Sequence, residues 1–159
     1  MDCSRVRNEE QLRKAFSAVF PTTDLNEFTL KENYDIKVLE NGVFGNVSFR
    51  RLDINHCVLE TVEKDALTSS LSTLRDIDIH HCHLNTFPFE KLAEFSSLES
   101  LSIHNNKIHT LPPLSSSSLV YLTLNRNLIE HLSPDVFKLL PAVKAIYLWG
   151  NQLTEIPKG

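Results

Sequence analysis

Apolar and polar residues alternate in short stretches that return at nearly constant intervals along the chain. The clearest stretch covers residues 98–112, with apolar residues at positions 98, 101, 103, 108 and 111 and an asparagine at its ninth position, Asn106. Matching stretches begin at residues 25, 49, 74, 119 and 143, so successive copies start 24, 25, 24, 21 and 24 residues apart. A sequence period in this range indicates an array of structural repeats.

Each copy predicts a coil made of a short strand, a turn and a return segment. In Leu101-Ser102-Ile103, the alternation places one side of a strand inward and the other in solvent. Because a single coil cannot bury its own apolar residues, the coils stack and their strands pair in parallel. This is the leucine-rich repeat pattern. It predicts an α/β fold, a leucine-rich repeat solenoid (horseshoe) with a parallel concave β-sheet, six repeats and a partial N-terminal coil.

The residues before the first complete repeat predict a cap that contains an amphipathic helix. Asn8 begins the helix, with Gln11 three residues later as in a capping box, and Pro21 ends it after Phe20. Apolar residues at positions 12, 15, 16, 19 and 20 have helical spacing. We therefore expect residues 1–24 to form a partial N-terminal cap and residues 25–159 to form the six repeats.

Both ends of the chain suggest a longer natural protein. Met1 and Cys3 have the spacing of the inward side of a strand whose beginning is absent, and three cysteines leave one without a partner. The sixth repeat stops at Ile156-Pro157-Lys158-Gly159, with no element to cover its apolar end, whereas solenoids normally carry caps. We expect a chain truncated at its C-terminus.

The ninth position of every repeat predicts a structural ladder along the turn that follows each strand. Backbone groups there lose their strand partners, and a buried side chain that forms hydrogen bonds replaces them. In the first repeat one extra residue separates the ladder residue from the next apolar residue, Ile36. The ladder consists of Asn33, Cys57, Cys82, Asn106, Asn127 and Asn151.

The two ladder cysteines, Cys57 and Cys82, occupy one column in neighbouring coils. Their Cα atoms are expected about 5 Å apart, which is within disulfide range. Because side chains in one column run parallel, we expect two buried thiols that take over the hydrogen bonding of asparagine. A redox or regulatory disulfide is the alternative.

The return segments differ among the repeats. Repeat four carries Pro112-Pro113, which disfavour a helix and suit an extended return, followed by four serines that are expected to form a solvated turn. Asn46 begins the chain's one N-x-S/T sequon, on the return of repeat one and away from the concave sheet, and is the candidate glycosylation site. Apolar anchors of the outer wall are Val43, Phe44, Leu67, Leu92, Phe95, Phe137 and Leu140.

Composition and motifs exclude several functional classes. The chain has 159 residues, 42% hydrophobic and 23% charged, with a net charge of −4 and a pI near 6.0. These values suit one soluble domain and disfavour a non-specific nucleic-acid binder. No stretch approaches the roughly 18 consecutive apolar residues of a membrane span. Because no G-x-S-x-G, P-loop, H-E-x-x-H or Rossmann motif occurs, we predict no enzyme, no catalytic residues and no cofactor.

A histidine cluster lies at outward positions of repeats two to four. The predicted columns bring together His56, His80, His81 and His104, with Asp53 and Asp78 in the neighbouring column. Three interpretations stay open: solvated strand residues, a contact surface that responds to pH, and a metal site built from imidazoles and a carboxylate. No compact zinc motif is present, so we assign no metal ligand and interpret His56, His80, His81, His104 and Asp78 as partner-binding residues.

An aromatic patch occupies outward positions of repeats five and six. It contains Tyr121, Tyr147 and Trp149, and Arg126 falls in the adjacent eighth-position column. Exposed aromatics side by side on a rigid sheet are typical anchors of protein interfaces. The alternatives are isolated exposed rings, or a Trp149 that packs on a further coil. We interpret these residues as partner-binding.

The repeats resemble the extracellular typical class of leucine-rich repeats, with a period near 24 residues and the pairs Val43-Phe44 and Val136-Phe137 on the convex side. Some stretches are similar to a secreted arthropod family described as Oplophorus-luciferin 2-monooxygenase non-catalytic subunit-like. They are Asp2-Cys3-Ser4, Glu10-Gln11-Leu12, Phe20-Pro21, Ile36-Lys37-Val38-Leu39, Gly42-Val43-Phe44-Gly45 and Thr86-Phe87-Pro88. The resemblance implies a secreted binding or accessory protein, and it transfers no active-site residue.

We therefore expect a non-catalytic, secreted module that binds a protein ligand or a partner subunit on the concave face of the solenoid. An accessory subunit of an enzyme complex is the second expectation. A metal-dependent hydrolase built on the histidine cluster is the third.

Overall fold

Six parallel strands form one sheet in the computed structural model, which describes residues 1–155. The elements are α1 (Glu9–Phe16), β1 (Asp24–Lys31), β2 (Val38–Leu39), β3 (Ser48–Asn55), β4 (Thr61–Val62), β5 (Asp76–His80), β6 (Ser100–His104), β7 (Tyr121–Thr123) and β8 (Ala145–Tyr147). The six-stranded sheet contains β1, β3, β5, β6, β7 and β8, paired in that order. A second, two-stranded sheet pairs β2 with β4 on the return segments. This arrangement confirms the predicted solenoid with a parallel sheet.

The strand register aligns equivalent positions of successive repeats. A column is the set of residues at one position of the successive repeats, counted from the first residue of each repeat. The seventh-position column pairs Lys31 with Asn55, Asn55 with His80, and His80 with His104. The fifth-position column continues through all six strands as Thr29, Asp53, Asp78, Ser102, Thr123 and Tyr147. Because neighbouring strands lie about 4.8 Å apart, each column places its side chains within contact distance.

Buried strand residues form the core between the sheet and the return segments. Leu30, Ile54, Ile79 and Ile103, the inward neighbours of the seventh column, have no exposed surface. Of the predicted outer-wall anchors, Phe137 is half-buried and the others are buried. Two 3-10 helices, Thr68–Ser70 and Phe89–Glu94, supply part of this outer wall.

A cluster of four phenylalanines attaches the N-terminal helix to the first coils. The rings of Phe16, Phe28, Phe44 and Phe49 have centroids between 4.9 and 6.0 Å apart. Tilted and edge-to-face contacts of this kind stabilise a core beyond the area they bury. Phe16 is the last residue of α1, so the cluster fixes the end of the helix against the repeats.

The helix is shorter than the sequence predicted. Asn8 caps it as expected, because its Oδ1 accepts a hydrogen bond from the Gln11 amide at 2.8 Å. The helix ends at Phe16, where the Ser17 hydroxyl donates to the Lys14 carbonyl at 2.9 Å and competes with a further helical turn. The predicted extension to Phe20 is therefore wrong, and the Val19 side chain is fully exposed.

The first three residues add a rudimentary strand beside β1. The Cys3 amide donates to the Thr29 carbonyl and the Thr29 amide donates to the Met1 carbonyl, both at 2.8 Å. This pairing confirms a strand here, but of the two residues predicted to be inward only Cys3 is buried, and Met1 is 38% exposed. Cys3 is a buried free thiol, and burial raises its pKa to about 11.

The asparagine ladder forms as predicted and joins successive coils. The Asn127 Nδ2 donates to the carbonyl of Ile103 in the preceding coil at 2.7 Å, and its Oδ1 accepts from the Ile108 amide at 3.0 Å. Asn106 and Asn151 make equivalent bonds one coil before and one coil after. These three asparagines therefore satisfy backbone groups of the coil that precedes their own. Asn33 differs, because its Nδ2 donates to the preceding Ser4 and Val6 carbonyls but its Oδ1 accepts from the Asp35 and Ile36 amides of its own coil.

Cys57 and Cys82 depart from the expectation of two buried thiols. A disulfide joins them, with the Cα atoms 4.7 Å apart. The prediction of free thiols is therefore wrong. The sequence analysis assumed that parallel side chains in one column could not form a disulfide. The two coils approach closely enough at the ladder for the two sulfur atoms to bond. A covalent link thus replaces the asparagine hydrogen bonds between repeats two and three.

The eighth position of each repeat has a left-handed backbone, which the sequence analysis did not predict. Its φ values lie between 48° and 52° in five repeats, and Gly150 has a φ of 73° in the sixth. This conformation turns the chain out of the strand and towards the ladder residue. The other five residues in this column are Glu32, His56, His81, Asn105 and Arg126.

The serine run of repeat four is only partly the solvated turn that was expected. Ser116 is 2% exposed, and its hydroxyl accepts a hydrogen bond from the Leu119 amide at 3.2 Å. The Ser118 hydroxyl donates to the Leu98 carbonyl at 2.9 Å. These hydroxyls replace backbone partners that a helix would have supplied. The predicted end of repeat six, residues 156–159, lies outside the described residues.

Candidate functional site

The outward side of the six-stranded sheet carries all nine residues that the sequence analysis interpreted as partner-binding. Two groups stand next to each other along this face. The aromatic patch consists of Tyr121, Tyr147 and Trp149, and the histidine cluster consists of His56, His80, His81 and His104. Asp78 lies on β5, at the fifth position of repeat three, beside the cluster, and Arg126 lies between the two groups.

The aromatic patch is exposed although its backbone is fixed by the sheet. Tyr121, Tyr147 and Trp149 are 48%, 49% and 56% exposed. In the register of β7 and β8, Thr123 is opposite Tyr147, so Tyr147 is diagonal to Tyr121. Diagonal neighbours on one sheet face are within reach of aromatic side chains. The two tyrosines therefore form one surface.

Arg126 and Asn125 hold Trp149 in place. The Arg126 Cζ lies 4.6 Å from the centroid of the Trp149 ring, which is a cation–π contact. The buried Asn125 Oδ1 accepts a hydrogen bond from the Trp149 amide at 2.9 Å, and the Arg126 amide donates to the Trp149 carbonyl at 2.8 Å. The sequence analysis did not identify Asn125, because its bond to the Trp149 amide joins two neighbouring coils and depends on the side-chain rotamer.

Gly150 leaves room for the Arg126 side chain to contact Trp149. Its φ is +73°, and a Cβ atom built on it would lie 3.0 Å from the Arg126 Cγ. Because the position is left-handed and crowded, glycine is the residue that fits without strain. The orientation of Arg126 therefore depends on the absence of a side chain at residue 150.

The histidine cluster is a set of imidazoles packed on one another. His56 stacks on His81, and His80 stacks on His104, each with ring centroids 4.8 Å apart and interplanar angles of 3° and 4°. Edge contacts at 5.2 to 5.7 Å connect the two stacks. The predicted convergence of these four residues is present in the structure, since the seventh and eighth columns run side by side.

The cluster lowers the pKa of two of its own members. Burial lowers the pKa of His81, and the charges of His80, His56 and Arg126 lower it further. Burial also lowers the pKa of His104, with His80 adding to the effect and Asp78 opposing it. Neighbouring imidazoles that share one surface disfavour each other's charged form. At neutral pH, His81 and His104 are therefore uncharged polar rings.

Asp53 and Asp78 occupy successive positions of one column but have different surroundings. Asp53 accepts from Lys31 Nζ at 2.6 Å and from Asn55 Nδ2 at 2.7 Å. Burial acts to raise the pKa of Asp53, but the hydrogen bonds from Lys31 and Asn55 bring it below the ordinary value. Among residues 1–155, the buried Oδ1 of Asp78 has no hydrogen-bond partner. A carboxylate without a cation therefore lies beside the histidines.

A shallow cavity of about 300 Å³ opens next to the histidine cluster and the disulfide. Tyr34, His56, Cys57, Val58, His81 and His83 line it. Tyr34 is 69% exposed and was missed by the sequence analysis, although the extra residue of repeat one places it here. Asn46, the predicted glycosylation site, is exposed on the turn before β3, away from these residues. Within residues 1–155, the structure contains no helix long and apolar enough to cross a membrane.

Comparisons with known proteins agree with the repeat architecture. Residues 96–153 match a family model described as "Leucine rich repeat". The chain is 32% identical over 160 residues to the "Oplophorus-luciferin 2-monooxygenase non-catalytic subunit" of Oplophorus gracilirostris, which covers 100% of this chain and 45% of that protein. It is 29% identical over 111 residues to the osteomodulin of Rattus norvegicus, covering 69% of this chain and 26% of that protein.

A solved structure supports the same fold. The structure of a TLR13–ssRNA13 complex superposes with a TM-score of 0.76 and 25% identity, covering 91% of this chain and 20% of that chain. The chain thus spans less than half the length of each of these relatives. The repeat pattern, the sheet and the matched residues together show a leucine-rich repeat fold, and the whole of this chain is similar to part of the Oplophorus subunit.

Proposed function

We propose that this chain is a non-catalytic, extracellular binding module that holds a protein partner on the outward, concave side of its six-stranded sheet. The aromatic patch and Arg126 supply the anchors of the interface. The histidine cluster and Asp78 supply an adjoining polar surface. The main support is the exposure of Tyr121, Tyr147 and Trp149, which are about half exposed on a face whose backbone is rigid.

Rigidity makes these rings effective anchors. Side chains that a sheet already holds in position lose little conformational freedom on binding. Trp149 is held by Arg126 through its ring and by Asn125 through its backbone. Large aromatic side chains with an adjacent arginine are enriched among residues that contribute about 2 kcal/mol or more to protein interfaces. A protein partner with an apolar, concave pocket fits this arrangement.

Charge favours a protein partner over a nucleic acid. The net charge is −4, and the sheet face combines Arg126 and Lys31 with the carboxylates of Asp53 and Asp78. Protein surfaces that bind nucleic acids usually carry a continuous basic stripe that neutralises phosphates. The structural relative TLR13, however, was solved in complex with a single-stranded RNA. A single-stranded RNA is therefore included in the test below as a competing partner.

An extracellular location is supported by covalent chemistry. The Cys57–Cys82 disulfide is of a kind that persists mainly in oxidising compartments. The exposed sequon at Asn46 would accept a glycan on the side opposite the proposed interface. A glycan there is expected to leave partner binding unchanged.

A second function, a structural accessory subunit of an enzyme complex, is favoured by the name of one relative. The Oplophorus protein is called a non-catalytic subunit and is similar over the whole of this chain. That name agrees with the prediction that the chain is not an enzyme, so a hydrolase built on the histidine cluster is not retained. An accessory subunit is expected to co-purify with its catalytic partner in fixed stoichiometry.

Affinity capture tests the proposed interface. The folded chain is immobilised, native extracellular fluid is passed over it, and the retained proteins are identified by mass spectrometry. A Tyr147→Ala/Trp149→Ala variant is run in parallel. Leu139→Ala is the matched control, because Leu139 is a 57% exposed apolar residue on a return segment, outside the six-stranded sheet. A labelled single-stranded RNA is offered to the same three surfaces.

We expect a protein that the parent chain and the Leu139→Ala variant retain and that the double variant does not. Equal retention by all three chains would remove the aromatic patch from the interface. Retention of RNA by the parent chain, with no retained protein, would contradict a protein partner. Circular dichroism of each variant establishes that the fold is intact.

A further inference from the structure

Asp78, His80 and His104 lie together at the ends of two neighbouring strands on the sheet face. Each residue offers one ligand atom, and these atoms all lie within 4.8 Å of one another. His80 and His104 are direct register partners in β5 and β6, and Asp78 is two residues before His80 on the same face. We propose that these three residues bind one transition-metal dication, with Zn²⁺ as the best chemical match.

The geometry requires only side-chain adjustment. A tetrahedral zinc ion with bonds of about 2.0–2.1 Å needs its ligand atoms roughly 3.3 Å apart. Closing the set from 4.8 Å to that distance moves atoms by about 1.5 Å or less, which rotation of half-exposed side chains achieves without moving the strands. The three ligands stand on paired strands, so the backbone of the site is already in place.

Asp78 supplies the observation that points to a cation. Its Oδ1 is buried and has no hydrogen-bond partner within residues 1–155, and no ion pair among those residues includes it. The preceding residue of the same column, Asp53, is satisfied by the Lys31 ammonium and the Asn55 amide. A buried carboxylate oxygen without a donor is costly, and a metal ion would satisfy it.

The neighbours of the two histidines leave one nitrogen of each ring for a metal. His80 Nδ1 lies 2.9 Å from His81 Nδ1, and His104 Nδ1 lies 2.7 Å from the Asn105 amide group. In both rings Nε2 is thus the nitrogen outside these hydrogen bonds. Metal-bound histidines commonly hold their second nitrogen in such a bond, which fixes the ring orientation. A metal on Nε2 requires Nδ1 to donate its proton, so His81 Nδ1 would accept from His80, and the Asn105 amide, whose Nδ2 lies 2.7 Å from His104 Nδ1, would turn to present its oxygen.

The donor set selects the class of metal. Two imidazole nitrogens and one carboxylate oxygen suit Zn²⁺, and also Cu²⁺ or Ni²⁺, whereas Ca²⁺ and Mg²⁺ prefer oxygen ligands only. With three protein ligands the fourth position stays open to water or to another donor. The sequence analysis assigned no metal ligand. Compact zinc motifs lie within one short segment of sequence, whereas this ligand set is assembled across two coils.

Isothermal titration of the chelator-treated, 159-residue chain with ZnCl₂ tests the site without any protein partner. We expect binding of one equivalent. His80→Gln, His104→Gln and Asp78→Asn are each expected to weaken it by about tenfold or more, since even the loss of an outer-shell partner weakens metal sites by about 10- to 100-fold. His83→Gln is the matched control, because it removes a nearby exposed imidazole outside the three ligands. CaCl₂ is expected to give no stoichiometric binding.

The absence of stoichiometric zinc binding would overturn the proposal. So would equal affinities of the parent chain and the three ligand variants, or a loss in His83→Gln as large as that in His80→Gln. Absorption of the Co²⁺-loaded chain provides a second measurement, and the expected tetrahedral d–d bands must disappear in His104→Gln. Because these experiments use the metal alone, their failure leaves the proposed protein interface untouched.

Discussion

The asparagine ladder gives the sharpest prediction about stability, and Asn127→Ala is the perturbation that tests it. Asn127 is 3% exposed, and its amide group serves two buried backbone partners in the coil before its own. Alanine removes the acceptor of the Ile108 amide and the 2.7 Å donor to the Ile103 carbonyl. The methyl group of alanine replaces neither of these hydrogen-bond partners.

The magnitude follows from these two orphaned groups. Leaving a buried donor or acceptor without a partner costs about 1–3 kcal/mol. Two such groups predict a loss of roughly 3 kcal/mol in the free energy of unfolding, with relaxation and water entry keeping the sum below its maximum. The measurement is urea-induced unfolding followed by circular dichroism.

Asn85→Ala is the matched control for this experiment. Asn85 is exposed, and the bond that its side chain accepts comes from the neighbouring Thr86 hydroxyl. Its substitution is expected to change stability by no more than about 0.5 kcal/mol. A loss below about 1 kcal/mol for Asn127→Ala, or an equal loss for both variants, would refute the account of the ladder.

Three further predictions concern other parts of the molecule. Gly150→Ala is expected to destabilise the sixth coil by about 1 kcal/mol or more, because the φ is +73° and the new Cβ lies 3.0 Å from Arg126; an unchanged melting temperature would contradict this. Removing the disulfide with Cys57→Ala/Cys82→Ala frees the unfolded chain from a cross-link between residues 25 positions apart and is expected to cost about 3 kcal/mol in urea unfolding. Equal stability with and without the bond would count against a structural role. The pKa of Asp53 is depressed in the fold, so its contribution, about 1 kcal/mol, is present above the unfolded pKa near 3.9 and is lost as pH falls through the folded pKa. The stability difference between the parent chain and Asp53→Asn should therefore shrink below about pH 4, and a difference independent of pH would refute the ion pair.

The repeat pattern carries most of the fold because one short rule is applied six times. Alternation in segments such as Leu101-Ser102-Ile103 determines which side of each strand is inward, and the constant spacing determines the register. Once the register is known, the columns follow, and the proximity of His80 and His104 could be predicted from the sequence. The fold class and the neighbours within each column therefore needed no structure.

Features that depend on exact backbone position were not accessible in this way. The left-handed eighth position leaves a sequence signal only at Gly150, because the other residues in that column carry side chains. The disulfide between Cys57 and Cys82 depends on the approach of two Cα atoms to 4.7 Å, which the column model did not resolve. The helix ends at Phe16, where the Ser17 hydroxyl bonds the Lys14 carbonyl, although the apolar spacing continues to Phe20.

The candidate site shows the same division. The sequence identified the aromatic patch, but the support that Asn125 gives to Trp149 required coordinates. It also placed Asp53 and Asp78 in one column, although it could not show that Lys31 satisfies the first, or that the buried Oδ1 of the second has no hydrogen-bond partner within residues 1–155. Column position is a property of the repeat, whereas hydrogen-bond satisfaction is a property of individual rotamers.

The most direct test of the central claim is the affinity of the captured partner for the parent chain and for the Tyr147→Ala/Trp149→Ala variant, measured by surface plasmon resonance. If the aromatic patch anchors the interface, a loss of about 2 kcal/mol or more is expected, which corresponds to a Kd raised by about 30-fold. The Leu139→Ala variant should bind within about threefold of the parent chain. A double variant that binds as tightly as the parent chain would contradict binding on this face.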